Sequence, residues 1–400
     1  MKKTWIKKRH NTVKKLLHFL IVPYLKRKYG FSYEQFKDTD NRPYLILANH
    51  QTPMDQFMFA ACFNKLVYTI ASEDIFSIPY GKLIRYLVAP IPFIKSKKNI
   101  SSIMTCKQIV KEGASIMMMP EGNRTYSGAT EFINPTVTKL AKLLKLPIAF
   151  LVLHGGYGVS PRWAQDIRKG KTHCAVESVL EYETYKDWSE QKLYEYICSQ
   201  LYVDESNDGK EYFGKNLAQY IERAIYYCPN CGVTHFVSKG NELTCAKCSL
   251  TVEYNPNKQF SSKEGKPPYK NVKEWYDAQR AYVLSLDYNN LTEALTIDKV
   301  NVFNVILFKR KKRLYANALL TLYADKIIIE KGKKRIECDF TKTVESMTVL
   351  GRHKLEVFCG ENVFQIVGDK RFNAVKYVNF FYKYKNYMEG NNDSGQFLGL

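Results

Sequence analysis

Apolar positions between residues 44 and 153 fall into short runs separated by amphipathic stretches. Tyr44–Ala48, Val67–Ala71, Val88–Ile94, Ser115–Met119 and Pro147–Leu153 have strand length and little polar interruption. Ser101–Glu112 and Val137–Leu144 repeat their apolar residues at helical spacing. The first has Ser101 or Ser102 as N-cap and Gly113 as terminator. Strands alternating with helices in this way predict an α/β domain with a mostly parallel central sheet. Residues 175–227 read as mainly helical and polar, closing in Leu217–Tyr226. The composition then turns polar over 256–270, with Pro256, Gly265, Pro267 and Pro268, which reads as a linker. Beyond it come strand-length runs at 302–309, 318–323, 326–330, 335–339, 354–359 and 362–367. A single amphipathic helix at 371–385 follows, with Phe372, Val375, Val378 and Phe381 on one face. Residues 271–400 therefore predict a small β-rich domain, a sandwich or barrel closed by one helix.

Residues 1–30 change the picture. They carry ten Lys or Arg and no acidic residue. Trp5, Val13, Leu16, Leu17, Leu20 and Ile21 give an apolar stripe, and Lys7, Lys8, Arg9, Lys14, Lys15, Lys26, Arg27 and Lys28 surround it. A kinked helix or helix pair of this kind suits the interface of an anionic membrane. The alternative is a helix packed on its own core with a solvated basic face. Over all 400 residues the formal net charge is +21, which calls for an anionic partner. The apolar run from Leu16 to Leu25 is too short to span a bilayer and has no small-residue cleavage site. The chain is thus expected to lie peripherally on the cytoplasmic face of a membrane, without a transmembrane helix.

Ten cysteines are present, four of them in two Cys-x-x-Cys pairs: Cys228 with Cys231, and Cys245 with Cys248. The others are scattered, as suits a reducing compartment. With 13 residues between the pairs, the four thiolates have the spacing of a structural Zn2+ ribbon over 211–255. Such a closed site leaves no coordination position for chemistry. The loop Gly232–Thr244 offers only Lys239 as a basic residue, so nucleic acid is a poor candidate partner.

Two stretches carry candidate chemistry. His50 follows the run Tyr44–Ala48, and Asp55 lies five residues on. Thr52 suits a helix N-cap and Pro53 the first helical position. A loop histidine can fold back onto a carboxylate one turn into the helix, which fixes its tautomer and frees the other nitrogen as a base. Alone, the pair reads equally well as a helix cap beside a loop histidine. The second stretch is Pro120-Glu121-Gly122-Asn123-Arg124. Gly122 permits a tight turn, Glu121 can bond a hydroxyl, and Arg124 can grip a phosphate with two N–H groups. Both stretches follow strands, where ligand loops of α/β sheets lie.

Asn49-His50-x4-Asp55, followed about 70 residues later by Pro120-Glu121-Gly122-x-Arg124, resembles the glycerolipid acyltransferase family, whose best-known members are the 1-acylglycerol-3-phosphate O-acyltransferases. The likeness covers residues 30–170 and sets an acyltransferase domain over 31–210. Met119, Asn123 and Thr125 replace the usual Phe, Thr and Ser. Lys95 or Lys97 stands where the family more often has Arg, and Leu146-Pro147-Ile148 lacks a second Pro. The resemblance implies that His50 deprotonates the hydroxyl of 1-acyl-glycerol-3-phosphate, with Asp55 orienting it. That oxygen would attack an acyl thioester, acyl-CoA or acyl carrier protein, and give phosphatidic acid. It also implies that Asn49, Lys95, Lys97, Glu121, Gly122 and Arg124 bind substrate. Another lysophospholipid as acceptor, or a non-catalytic lipid- or nucleic-acid-binding scaffold, are the rival readings. The strand-rich tail resembles pleckstrin-homology-like or GRAM-like modules. The run Lys309-Arg310-Lys311-Lys312-Arg313 would then face anionic lipid head groups.

Overall fold

The run Leu45-Ile46-Leu47-Ala48 lies at the middle of a seven-stranded sheet and is buried on both faces, as a central parallel strand must be. The structure is a computed structural model. It describes residues 4–37, 40–72, 74–77, 80–93, 99–263, 265–287, 290–306, 310–390 and 397–399. The sheet contains β1 (Phe31–Tyr33), β2 (Leu45–Ala48), β3 (Val67–Ser72), β4 (Ile91–Phe93), β5 (Ser115–Met118), β6 (Ile148–His154) and β7 (Thr172–Leu180). Their spatial order is β1-β7-β6-β2-β5-β3-β4. Every pairing is parallel except β6 with β7. Successive residues point to opposite faces. Leu45, Leu47, Ile116, Ile148 and Phe150 enter one core with Ile109 and Val137 from the helices Ile100–Lys111 and Thr136–Leu144. Ile46, Ala48, Met117, Ala149 and Leu151 enter the other. There they meet Met58 and Phe59 of the helix Asp55–Ala61 and Val22 and Leu25 of the helix Lys8–Tyr29.

The stretch 175–227, expected to be mainly helical, opens instead with the end of β7. Its exposed polar positions, such as Glu177, mask a two-residue alternation of burial, and pairing with β6 decides the outcome. Leu217–Tyr226 forms only a short 3-10 turn at Ile221–Arg223. At the N-terminus one unbroken helix passes through Pro23. It turns His10, Val22, Leu25 and Tyr29 inward and leaves Leu16, Phe19, Leu20 and Tyr24 exposed.

A hairpin of β8 (Tyr227–Cys228) and β9 (Gly232–Val233) precedes a four-stranded antiparallel sheet. That sheet contains β10 (Phe236–Lys239), β11 (Glu242–Cys245), β12 (Thr251–Tyr254) and β13 (Phe260–Ser261), in that order. The reading of 256–270 as a linker is therefore corrected. Phe260 is buried, its N–H bonds the Lys270 carbonyl at 2.6 Å, and β13 completes the ribbon sheet. The Pro and Gly residues mark turns within a packed unit. The helix Val272–Ser285 follows at once, capped by the Asn271 side chain accepting from the Glu274 N–H.

The β-rich end has seven antiparallel strands: β14 (Thr296–Ile306), β15 (Arg310–Leu322), β16 (Lys326–Lys331), β17 (Lys334–Asp339), β18 (Val344–Leu350), β19 (Lys354–Cys359) and β20 (Asn362–Val367). They curl in the order β17-β16-β15-β14-β20-β19-β18 and are closed by the helix Val375–Met388. Strand β18 had no expectation, since Glu345, Ser346 and Thr348 interrupt its apolar run. One continuous apolar core joins Tyr126 and Trp163 of the α/β unit, Tyr226 and Leu243 of the ribbon and Val357 and Phe381 of the β-rich end.

Candidate active site

The loop after β2 and the loop after β5 meet above the sheet. The Thr125 N–H donates to the His50 carbonyl at 3.1 Å, and the His50 N–H donates to Glu121 Oε1 at 2.8 Å. Parallel pairing of β2 with β5 puts their C-terminal ends side by side, so stretches about 70 residues apart become neighbours.

His50 Nδ1 lies 2.8 Å from Asp55 Oδ2. Asp55 is 1% exposed, and its carboxylate also accepts from the Gln51 N–H at 2.7 Å and the Thr52 N–H at 2.8 Å. The expected N-cap at Thr52 is corrected: the helix begins at Asp55 with Met54 at the N-cap and no side-chain cap bond, and Asp55 instead ties the loop 50–52 to the helix start. Held this way, His50 carries its proton on Nδ1 and presents Nε2 as an acceptor. The side chain is 23% exposed and lines a cavity of about 680 Å³. Burial lowers its pKa from the ordinary 6.5. The Asp55 carboxylate opposes that shift, and Arg124 and Arg162 add to it. A base that stays neutral below pH 6.5 should keep working there. The expected kcat/KM profile of any reaction it catalyses is flat through neutrality and falls only on acidification below that value. An inflection above pH 7 that survives Glu121→Gln would contradict this assignment, since the Glu121 carboxyl in the same cavity is itself pushed up to about 8.

Glu121 acts as a latch. Its two oxygens accept from the His50 N–H and the Glu131 N–H, and burial pushes its pKa up to about 8. Gly122 sits at φ +65°, and its N–H bonds the Met119 carbonyl at 3.0 Å, which is the tight turn expected of it. Arg124 is half-buried and donates through Nη2 to the Gly351 carbonyl at 3.2 Å. Burial, reinforced by the neighbouring Arg162, lowers its pKa to about 10, so it remains cationic at neutral pH.

Asn49 does not reach the cavity, which corrects its assignment as a substrate-binding residue. Its amide donates to the Leu153 carbonyl and accepts from the Leu153 N–H, both at 2.9 Å. It is 1% exposed, and it staples the end of β2 to β6 so that the next residue, His50, has a fixed exit. Lys95 and Lys97 fall at 94–98, outside the described residues.

Sequence reasoning overlooked Arg162. Its guanidinium donates to the carbonyls of Arg124 (2.7 Å), Gly351 (2.9 Å) and Val349 (2.9 Å), and it lies 4.3 Å from the centre of the Tyr126 ring. It is a buried bracket between the loop of Arg124 and the β-rich end. Nothing local in Pro161-Arg162-Trp163 marks it, because its partners lie about 40 and 190 residues away. The glycines at 155–158 do not hold a phosphate. The Gly155 and Gly158 N–H groups converge on the buried Glu205 carboxylate, which also accepts from Gln51.

The Sγ atoms of Cys228, Cys231, Cys245 and Cys248 all lie within 4.8 Å of one another. The residue after each pair, Gly232 at φ +72° and Ser249 at φ +62°, is left-handed, so the chain turns sharply just past the second thiol. Four thiols so placed match a closed tetrahedral metal site.

Residues 31–153 match the family model described as Acyltransferase. A curated relative, the 1-acyl-sn-glycerol-3-phosphate acyltransferase of Cocos nucifera, is 26% identical over 167 residues. The match covers 40% of this chain and 53% of the relative, so the chain spans about half the length of the curated relative it matches. A solved structure, the 1-acyl-sn-glycerophosphate (LPA) acyltransferase PlsC from Thermotoga maritima, aligns at a TM-score of 0.41 and 19% identity. It covers 49% of this chain and 80% of that one. Residues 31–153 thus form an Acyltransferase-family domain.

Proposed function

We propose that the protein is an O-acyltransferase that makes phosphatidic acid from 1-acyl-glycerol-3-phosphate and an acyl thioester, acyl-CoA or acyl carrier protein. The observation that carries this reading is His50. Its Nδ1 is held by a buried carboxylate while the ring lines a cavity beside the Glu121–Arg124 loop. Nε2 takes the proton from the acceptor hydroxyl as the oxygen attacks the thioester carbonyl. The new O–C bond forms, the C–S bond breaks, and the proton passes to the departing thiolate. The family domain and its curated relative support the acyl-transfer class, and the relative's printed activity suggests the acceptor. The test is thioester-dependent acylation of lysophosphatidic acid and other lysophospholipids by the purified protein. Acylation of none of them would remove the reading, and a strict preference for another head group would move the acceptor.

Arg124 binds the acceptor phosphate in this reading, assisted by Lys95 or Lys97, its guanidinium turning from the Gly351 carbonyl toward the cavity that the adjacent Asn123 lines. The expected result for Arg124→Ala is a rise in acceptor KM of about tenfold or more, as loss of a charge-assisted hydrogen bond implies. An unchanged KM with normal turnover removes Arg124 from the site.

The helix Lys8–Tyr29 holds the domain on an anionic membrane surface. Leu16, Phe19, Leu20 and Tyr24 are exposed along it, with basic residues beside them. Among the described residues no helix is long and apolar enough to cross a membrane. The four thiolates bind Zn2+ as a structural ion.

A further inference from the structure

The cavity beside His50 is not enclosed by the α/β domain alone. On one side lie Ile70 of β3, Met118 of β5, Ile103 of the helix Ile100–Lys111 and Leu140 of the helix Thr136–Leu144. Another part of the wall comes from the far end of the chain: Met347 on β18, Tyr382 on the final helix, and Phe397 in the segment 397–399.

Three sets of contacts fix that wall in place. Arg162 and Arg124 donate to the Gly351 carbonyl, Arg162 also donates to the Val349 carbonyl, and the Tyr126 hydroxyl donates to the Arg352 carbonyl at 2.6 Å. All of these acceptors follow Met347 by two to five residues, so the wall and the loop of Arg124 are joined through one short segment. Phe397 packs on Phe132 at 4.4 Å between ring centres and on Tyr382 at 4.9 Å. The amides of Asn379 and Asn386 on the final helix hold the backbone of 397–398, donating to the Leu398 and Phe397 carbonyls at 2.8 and 3.0 Å.

The cavity is lined by both polar and apolar side chains, the apolar ones giving most of its surface. His50, Glu121 and Asn123 come from the loops after β2 and β5, and Ile70, Ile103, Leu140, Met347 and Phe397 are among the apolar side chains of a lining that also includes Asn99, Asn134 and Lys139. A ligand that fits has a polar reacting head and a hydrocarbon tail. About 680 Å³ is within the range of roughly 300–1,000 Å³ typical of sites that enclose a small ligand. Water in so apolar a space is readily displaced by methylene groups.

We propose that Met347, Tyr382 and Phe397 form the acyl-chain wall of the catalytic cavity, so that the β-rich end selects the donor by chain length. This rests on the acyltransferase reading above and adds a role for the β-rich end that the family domain at residues 31–153 does not contain. None of the three residues touches the reacting atoms; they set specificity. Tyr382 and Phe397 bound the space laterally through the ring pair with Phe132, and Met347 presents a flexible thioether to the tail.

The experiment compares kcat/KM for saturated acyl thioesters of increasing length in wild type, Met347→Trp and Phe397→Ala. Burial of each further methylene is worth about fourfold in affinity. Met347→Trp, which fills the space, should lower the long-to-short ratio of kcat/KM about tenfold or more. Phe397→Ala, which opens it, should raise that ratio. A second readout needs no turnover: binding of thioether analogues that cannot transfer their chain should show the same reordering. If Met347→Trp does not fold, Phe397→Ala and the binding series decide the matter. Active variants with the wild-type ratio overturn this assignment and leave the acyltransferase reading intact. A wild type that acylates nothing overturns both.

Discussion

His50→Ala is expected to lower acyl transfer at least 10²–10⁴-fold, the usual contribution of a positioned base. Thermal stability should stay close to wild type, because the imidazole makes one hydrogen bond and is 23% exposed. Asp55→Asn is the informative companion. It keeps the size of the side chain but replaces an acceptor that serves His50 Nδ1 and two backbone N–H groups. The imidazole loses its fixed tautomer, and the loop 50–52 loses an anchor. Asp55→Asn should therefore reduce both turnover and melting temperature, whereas His50→Ala reduces turnover alone. Initial rates set beside thermal unfolding of the same preparations separate the two. A fully active His50→Ala variant would take the base out of the mechanism.

The second large effect concerns the four cysteines. Cys228 and Cys245 are buried within the core that also holds Trp163, Tyr226 and Phe381. Structural zinc in small finger peptides contributes apparent binding free energies on the order of 10 kcal/mol, which there is folding free energy. Removing the metal, or substituting Cys245→Ser, should thus destabilise the whole molecule and not the ribbon alone. The expected observations are about one zinc per chain by elemental analysis and a marked drop in melting temperature on chelation. Activity should fall in step with unfolding. A protein that retains both activity and melting temperature without metal would show that the cysteines pack as thiols.

Much of the α/β unit was legible because its strands are buried on both faces and so read as unbroken apolar runs, as at Leu45–Ala48 and Ile148–His154. The cysteine cluster was legible for a different reason: paired thiols at fixed spacing have few other uses. Strands β7 and β18 were not, since half of each is polar or exposed and only the neighbouring strand makes it a strand. Within the site, His50 and Asp55 became legible only beside the stretch 120–124, since alone they read equally well as a helix cap and a loop histidine. Arg162 did not become legible, because its role exists only once 124, 162 and 351 are brought together. Asn49 shows the converse error. It stands within the motif, yet its amide is spent on the Leu153 backbone, and no sequence spacing reports that. The polar stretch 256–270 misled because Pro and Gly mark turns equally in a linker and in a packed ribbon.

The core that joins Trp163, Leu243 and Val357 has a consequence for how such a chain is inherited. Units connected like beads can be gained or lost one at a time, since each keeps its own interior. Here the α/β unit shares its interior with the ribbon and the β-rich end. Loss of either would bare part of that interior to water, and loss of the β-rich end would also leave the Arg162 guanidinium without the Gly351 and Val349 carbonyls. A substitution at one of these joints is then expected to need a compensating one across it, and the loop of Arg124 is bound by the same constraint.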